Sequence, residues 1–164
     1  MKPSTVKIPR SYAAKNGVLT INQAILLQEQ LELKGLVMLL KELFSNLHKN
    51  RGLYVKSQLI YLPNLIHKHI EFTLYNIVLE ALNNIIEHAE IITASVSLEI
   101  KNEAIMLEIA DKGKGFSIEE KGENKYDCGL FRMRQNCLAL GGRFNLNSGI
   151  MGTQISVEIP LKNV

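Results

Sequence analysis

Asn76, Glu80, Asn84 and His88 recur at four-residue intervals. On a helix of 3.6 residues per turn this spacing drifts by only ~40° per step, so the four side chains form one polar stripe. Beside it, Ile70, Leu74, Ile77, Val78, Ala81, Ile85 and Ala89 fall at the three- and four-residue spacings of an apolar face. Such a helix packs a core with one side and presents oxygen atoms on the next: a carboxylate that can orient water or take up a proton, and amides that can serve a hard cation. Asparagine is a poor helix former because its amide competes for backbone partners, so Asn83 and Asn84 together in mid-helix need a reason. A solvated helix edge is the plain alternative. A second cluster, Asp111-Lys112-Gly113-Lys114-Gly115-Phe116, sets a carboxylate at the end of an alternating segment and follows it with glycines at every second position. Backbone there can approach a ligand closely while one acceptor faces it, although glycine-rich turns after strands are common in any fold.

The elements that must position these groups are readable from pattern. Residues 1–17 read as an extended leader, with Pro3, Pro9 and an Asn16-Gly17 turn signal. Thr20 and Gln23 resemble a capping box, and Ile25, Leu31, Leu36, Leu40, Leu43 and Leu47 continue a helical stripe to about Asn50, which Gly35 divides into two helices. A strand over Leu53–Ile60, with Leu53, Val55 and Leu59 on one side, precedes Pro63 and the central helix. Val96, Leu98, Ile100 and then Ile105, Leu107, Ile109 alternate as a half-buried hairpin joined near Asn102-Glu103. Residues 117–128 are polar and read as a mobile surface loop, a candidate lid. A helix over 129–140 offers Leu130, Met133, Cys137, Leu138 and Leu140 for burial and ends at Gly141-Gly142. Two last strands, Arg143–Asn147 and Gln154–Ile159, flank a turn over Ser148-Gly149 and Gly152-Thr153.

The 164 residues suffice for one ordinary domain, and 46% hydrophobic with 21% charged residues describes a globular chain. A net charge of +3, from 19 basic and 16 acidic residues mixed along the chain, is too weak and scattered to indicate direct nucleic-acid binding. Cys128 and Cys137 lack the paired Cys/His spacing of a zinc site and read as free thiols. No apolar run approaches the ~18 residues of a membrane span, and with no signal-peptide segment the chain reads as cytoplasmic.

Taken in order, EALNNIIEHA, DKGKGF and GLFRMRQNCLALGGRFNLNSGIMGTQISVEIPL resemble the N, G1 and G2 boxes of the ATP-binding catalytic domain of sensor histidine kinases, within the GHKL-type ATPases. The likeness covers roughly 35–161 and is nearest to the branch that pairs with helix-turn-helix response regulators. It implies an α+β fold: a two-layer sandwich whose mixed, mostly antiparallel sheet is covered on one face by helices. It also implies a histidine-kinase-like ATP-binding domain over residues 35–164, with residues 1–34 as a leader and N-terminal helix linking to, or left from, an upstream region. The implied cofactors are ATP and Mg²⁺. Asn84 would give the metal an amide oxygen, and Glu80 would orient water or accept a proton from the attacking group. His88 belongs to the same box and would orient its neighbours. Asp111 would accept from the adenine amino group, where guanine would set an oxygen. Gly113 and Gly115 would let backbone pass the base, Thr153 would hydrogen-bond near the adenine, and Met133 would line the apolar pocket. Gly129 and Leu130 would approach the phosphates at a helix start.

Three positions depart from the family's pattern. Glu87 stands where lysine is usual three residues after the N-box asparagine, and Lys112 stands where Asp or Asn often follows the aspartate. Arg134-Gln135-Asn136 lacks the second arginine of the usual M-R-x-R, which leaves Arg132 and Arg134 as phosphate candidates. None of His48, His67, His69 or His88 is followed by aspartate, as a phosphoacceptor commonly is. The roughly 70 residues before the N box are too few for a long helical hairpin plus linker at ~1.5 Å per residue. The resemblance therefore implies a histidine protein kinase module, incomplete without its acceptor, that passes the γ-phosphoryl of Mg·ATP to a histidine on another domain or chain, with a response regulator downstream. The alternative is a non-catalytic nucleotide-binding or protein-docking module on the same fold.

Overall fold

The computed structural model describes residues 20–61, 66–116 and 128–161. The leader, Pro63 and residues 117–127 of the candidate lid lie outside these residues, and Cys128 belongs to the helix that follows. Helices α1 (Ile21–Lys34), α2 (Leu36–Arg51), α3 (Lys68–His88) and α4 (Cys128–Ala139) accompany strands β1 (Tyr54–Leu59), β2 (Thr93–Lys101), β3 (Ala104–Asp111), β4 (Arg143–Gly149) and β5 (Gly152–Pro160). The strands form one sheet in the order β1-β2-β3-β5-β4, parallel between β1 and β2 and antiparallel elsewhere. This is the α+β, two-layer architecture expected.

The helices begin and end where the sequence directs them. Thr20 and Gln23 form the reciprocal capping box of α1, and Gly35 at φ +75° parts α1 from α2. Every apolar position of the α3 stripe is buried, with Leu74, Ile77 and Val78 fully enclosed. Full burial of such a side chain contributes about 1.5–3 kcal/mol, so this face anchors the domain. The opposing layer is the inner face of the sheet: Val96 and Leu98 of β2, Ile105, Leu107 and Ile109 of β3, and Ile155, Val157 and Ile159 of β5 are all buried. Leu27 and Leu31 join α1 to the same core, and buried Glu71 of α3 pairs with Lys68, whose ammonium also donates to the Leu31 carbonyl.

Asn102 and Glu103, both at positive φ, close the β2–β3 hairpin in the sense that matches strand twist. Three expectations need correcting. The β4 and β5 strands run on through Ser148 and Thr153 to a Gly149–Gly152 pair, leaving Ile150-Met151 as the turn. Gly152 permits this: at φ +111° it lies against the Asp111 carbonyl, where a Cβ would collide. Ile25 of α1 and Leu138 of α4 are exposed rather than buried, because Leu27 and Leu31, and Leu130, Met133 and Cys137, are the side chains turned to the core.

Candidate functional site

A cleft of about 270 Å³ opens between α3, the ends of β3 and β5, and the start of α4. Strand alternation builds its floor. Ile109 shares a face with Asp111 two residues on, Ile155 shares one with Thr153, and the β3–β5 register sets Asp111 opposite Thr153. Ala81 and Ile85 of α3, Ala89 at its C-cap and Leu130 of α4 add to the apolar surround.

Asp111 is buried, and its Oδ1 accepts the Gly113 N–H at 2.7 Å, a turn that aims the carboxylate back over its own loop. Gly113 lies against the carbonyl of Ala89, which leaves no room for a Cβ. Gly115, at φ +58°, presses on the Gly149 carbonyl. Phe116 N–H donates to Ser148 Oγ at 3.0 Å, and Ser148 Oγ lies 2.9 Å from Thr153 Oγ1. On the other flank, Lys114 N–H donates to the Ala89 carbonyl, and its ammonium sits 2.6 Å from Glu90 Oε1. This bond and the lysine's charge hold the Glu90 carboxyl below its ordinary value. Glu90 itself adopts φ +56° to end α3.

Of the residues singled out by sequence, Asn84, His88, Asp111, Gly115, Leu130 and Thr153 line the cleft. Glu80 stands one turn before Asn84 on α3, where Arg132 of α4 donates to its Oε1 at 3.3 Å. Gly129 lies against the same Glu80 oxygen, so a side chain there would displace the Glu80 carboxylate. Gly113 supports Asp111 from behind the cleft wall. Met133 is buried in the core and is not among the cleft-lining residues, because its position on α4 faces the sheet one turn beyond Leu130. Glu87 does line the cleft, with its carboxylate 3.9 Å from His88 Nε2 and more than half exposed.

The cleft residues to which sequence reasoning gave no site role are Ala81, Ile85, Ala89, Ile109, Lys114, Phe116 and Ile155. A signal existed for two of them, since Ile109 and Ile155 precede and follow the chosen Asp111 and Thr153 by two residues on the same strand faces. No cluster of three or more metal-ligating side chains occurs among the described residues. Nor is any helix among them long and apolar enough to cross a membrane.

Residues 69–163 match the model of the histidine kinase-, DNA gyrase B- and HSP90-like ATPase family, and the chain belongs to it. It is 39% identical to the sensor protein VraS of Staphylococcus aureus over 95 residues, 57% of this chain and 27% of that protein. Against the sensor protein VraS of Staphylococcus haemolyticus the identity is 30% over 175 aligned positions, covering 98% of this chain and 49% of the relative. The chain thus spans between about a quarter and a half of the length of these curated relatives. Among solved structures, the blue-light activated histidine kinase EL346 of Erythrobacter litoralis shares the fold with a TM-score of 0.69 at 19% identity, covering 85% of this chain and 46% of that one.

Proposed function

We propose that this chain is the ATP-binding catalytic domain of a sensor histidine kinase, which transfers the γ-phosphoryl of Mg·ATP to a histidine on another domain or chain. The observation that carries the reading is the buried Asp111 carboxylate facing an apolar cleft beside Thr153, with Gly115 on the same wall and Gly113 packed behind the carboxylate. A single buried acceptor in an apolar slot selects a ligand edge that offers an amino donor there, and adenine does so. Asn84 opens into the same cleft with an amide that has no hydrogen-bond partner among the described residues. A neutral amide oxygen fits Mg²⁺, which keeps several waters and binds largely through phosphates. When bound, the ion would screen the phosphate charge. We assign Glu80 as the group that accepts the proton or orients the attacking nucleophile, and Arg132 as the residue that holds the Glu80 carboxylate in place.

Residues 35–164 form the ATP-binding domain in this reading, and residues 1–34 link it to the phosphoacceptor region. The burial of Leu27 and Leu31 in the common core supports a linker docked on the domain it serves. The kinship to sensor proteins supports a response regulator as the downstream partner.

Glu87 on the cleft rim favours the second reading, a module that binds nucleotide or partner without turnover. Calorimetry with Mg·ATP on the chain and on Asp111→Asn tests the binding step, and acid-labile phosphate on an added dimerisation domain tests transfer. ATP binding that Asp111→Asn weakens, followed by transfer, is expected. Absence of binding up to millimolar ATP would sink the nucleotide reading, and binding without transfer to a cognate acceptor would leave the second one.

A further inference from the structure

We propose that Ser148 is a positioning residue that turns the Thr153 hydroxyl hydrogen toward the cleft and so helps select adenine over guanine; the inference rests on the nucleotide-binding reading above. Ser148 and Thr153 are cross-strand partners on the inner face of the β4–β5 hairpin. A serine hydroxyl carries one hydrogen and two lone pairs. One lone pair of Ser148 takes the Phe116 N–H at 3.0 Å, and among the described residues its other partner is Thr153 Oγ1 at 2.9 Å.

Two arrangements satisfy that distance. If Thr153 donated to Ser148, the serine would accept twice, its own hydrogen would be left to solvent, and the two bonds would oppose rather than reinforce one another. If Ser148 donates to Thr153, the bonds run head to tail from the Phe116 N–H through Ser148 to Thr153, and each polarises the next. The hydrogen left over is then that of Thr153, which lines the cleft and is directed away from Ser148. Asp111, the register partner of Thr153, is a pure acceptor when ionised. The wall then presents an acceptor beside a donor. Adenine offers the complement, an exocyclic amino group next to a ring nitrogen lone pair. Guanine offers the reverse, a carbonyl oxygen next to a ring N–H, and would oppose like groups at both points.

Affinities of the intact chain for ATP, 1-deaza-ATP and GTP, measured for the wild type, Ser148→Ala and Ser148→Thr, test the proposal. The 1-deaza analogue keeps the amino group and lacks the ring lone pair. Ser148→Ala is expected to weaken ATP about tenfold, the scale of one oriented hydrogen bond. It should leave 1-deaza-ATP unchanged and narrow the preference for ATP over GTP. Ser148→Thr retains the hydroxyl on a strand position that suits a β-branched residue and should restore the wild-type pattern. Equal weakening of ATP and 1-deaza-ATP would mean that Ser148 only supports the hairpin, and overturns the proposal. ATP binding indifferent to Ser148→Ala overturns it too while sparing the nucleotide reading, whereas a wild-type chain that binds no ATP removes both.

Discussion

The two ends of the cleft are built from different materials. At the end proposed to hold the base, Asp111, Gly113, Gly115, Ser148 and Thr153 sit on strands or on the loop between them, held by hydrogen bonds of 2.7–3.0 Å and by glycines packed against carbonyls. At the other end, Glu80, Asn84, Glu87 and Arg132 stand on two helices, with Arg132 paired to Glu80 at 3.3 Å and the Glu87 carboxylate 3.9 Å from the His88 ring nitrogen. Recognition of a flat base profits from a wall with no freedom to adjust, since each polar atom is already aimed. Phosphoryl transfer depends on charged and polar groups that position the phosphates and stabilise the charge developing on them. Base-end substitutions should therefore alter affinity and stability, while substitutions at the helical end should alter rate and salt dependence.

The sharpest separation is expected at Glu80. Glu80→Gln keeps the shape and the bond to Arg132 while removing basicity, so transfer to an acceptor histidine should fall by about 10²–10⁴ with ATP affinity little changed. An equal fall in affinity would erase the distinction between the ends. Gly115→Ala is the counterpart. It forces a side chain to φ +58° and against the Gly149 carbonyl, which adds about 1–2 kcal/mol of backbone strain and about 1–3 kcal/mol of overpacking. Thermal denaturation should report the loss, and ATP binding should go with it. Asp111→Asn retains volume but sets an amide against the adenine amino group, and about 1–3 kcal/mol of binding, or five- to more than a hundredfold in Kd, should be lost. Unchanged calorimetric affinity would refute the base contact.

Much of the base end was legible because strands have period two and helices period 3.6. Once Asp111 ended an alternating segment, its burial followed, and the α3 stripe fixed both the core face and the line from Glu80 through Asn84 to His88. What pattern could not supply was pairing across the chain. The contact between Ser148 and Thr153 depends on a hairpin ladder two residues longer than turn chemistry suggested, and that extension depends on Gly152 fitting under the Asp111 carbonyl. Arg132 with Glu80 and Lys114 with Glu90 join residues 52 and 24 positions apart, beyond any local signal. Helical periodicity likewise marks a face without naming its neighbour, so Ile25 and Leu138 were assigned to burial that Leu27 and Met133 in fact provide.

Glu87 offers a gain rather than a loss. Its carboxylate is more than half exposed on the rim, so its repulsion of a triphosphate is heavily screened. Glu87→Lys should tighten ATP by about 1 kcal/mol, roughly fivefold, at low ionic strength, and the advantage should shrink as salt rises. Tightening that persists at high salt would mean a direct phosphate contact and not a field effect. No change at any salt would show that the rim does not sense the phosphates at all.

The smallest effect is expected where the base end relies on exposed charge. Lys114 and Glu90 bridge the G1 loop to the end of α3 with both side chains largely in solvent. The lysine's hydrogen bond, then its charge, lowers the Glu90 carboxyl below 4.5, so the folded state binds this proton less readily than the unfolded one. The stabilisation is therefore complete above pH 4.5 and is lost as pH falls through the lowered value. Glu90→Gln should melt slightly below the wild type at neutral pH in low salt, with the gap closing in acid and in high salt. A gap that stays constant with pH would trace instead to the backbone at φ +56°, which the glutamine would still have to adopt. In that case Glu90→Gly, which relieves the left-handed strain, should raise the midpoint even though it deletes the bridge.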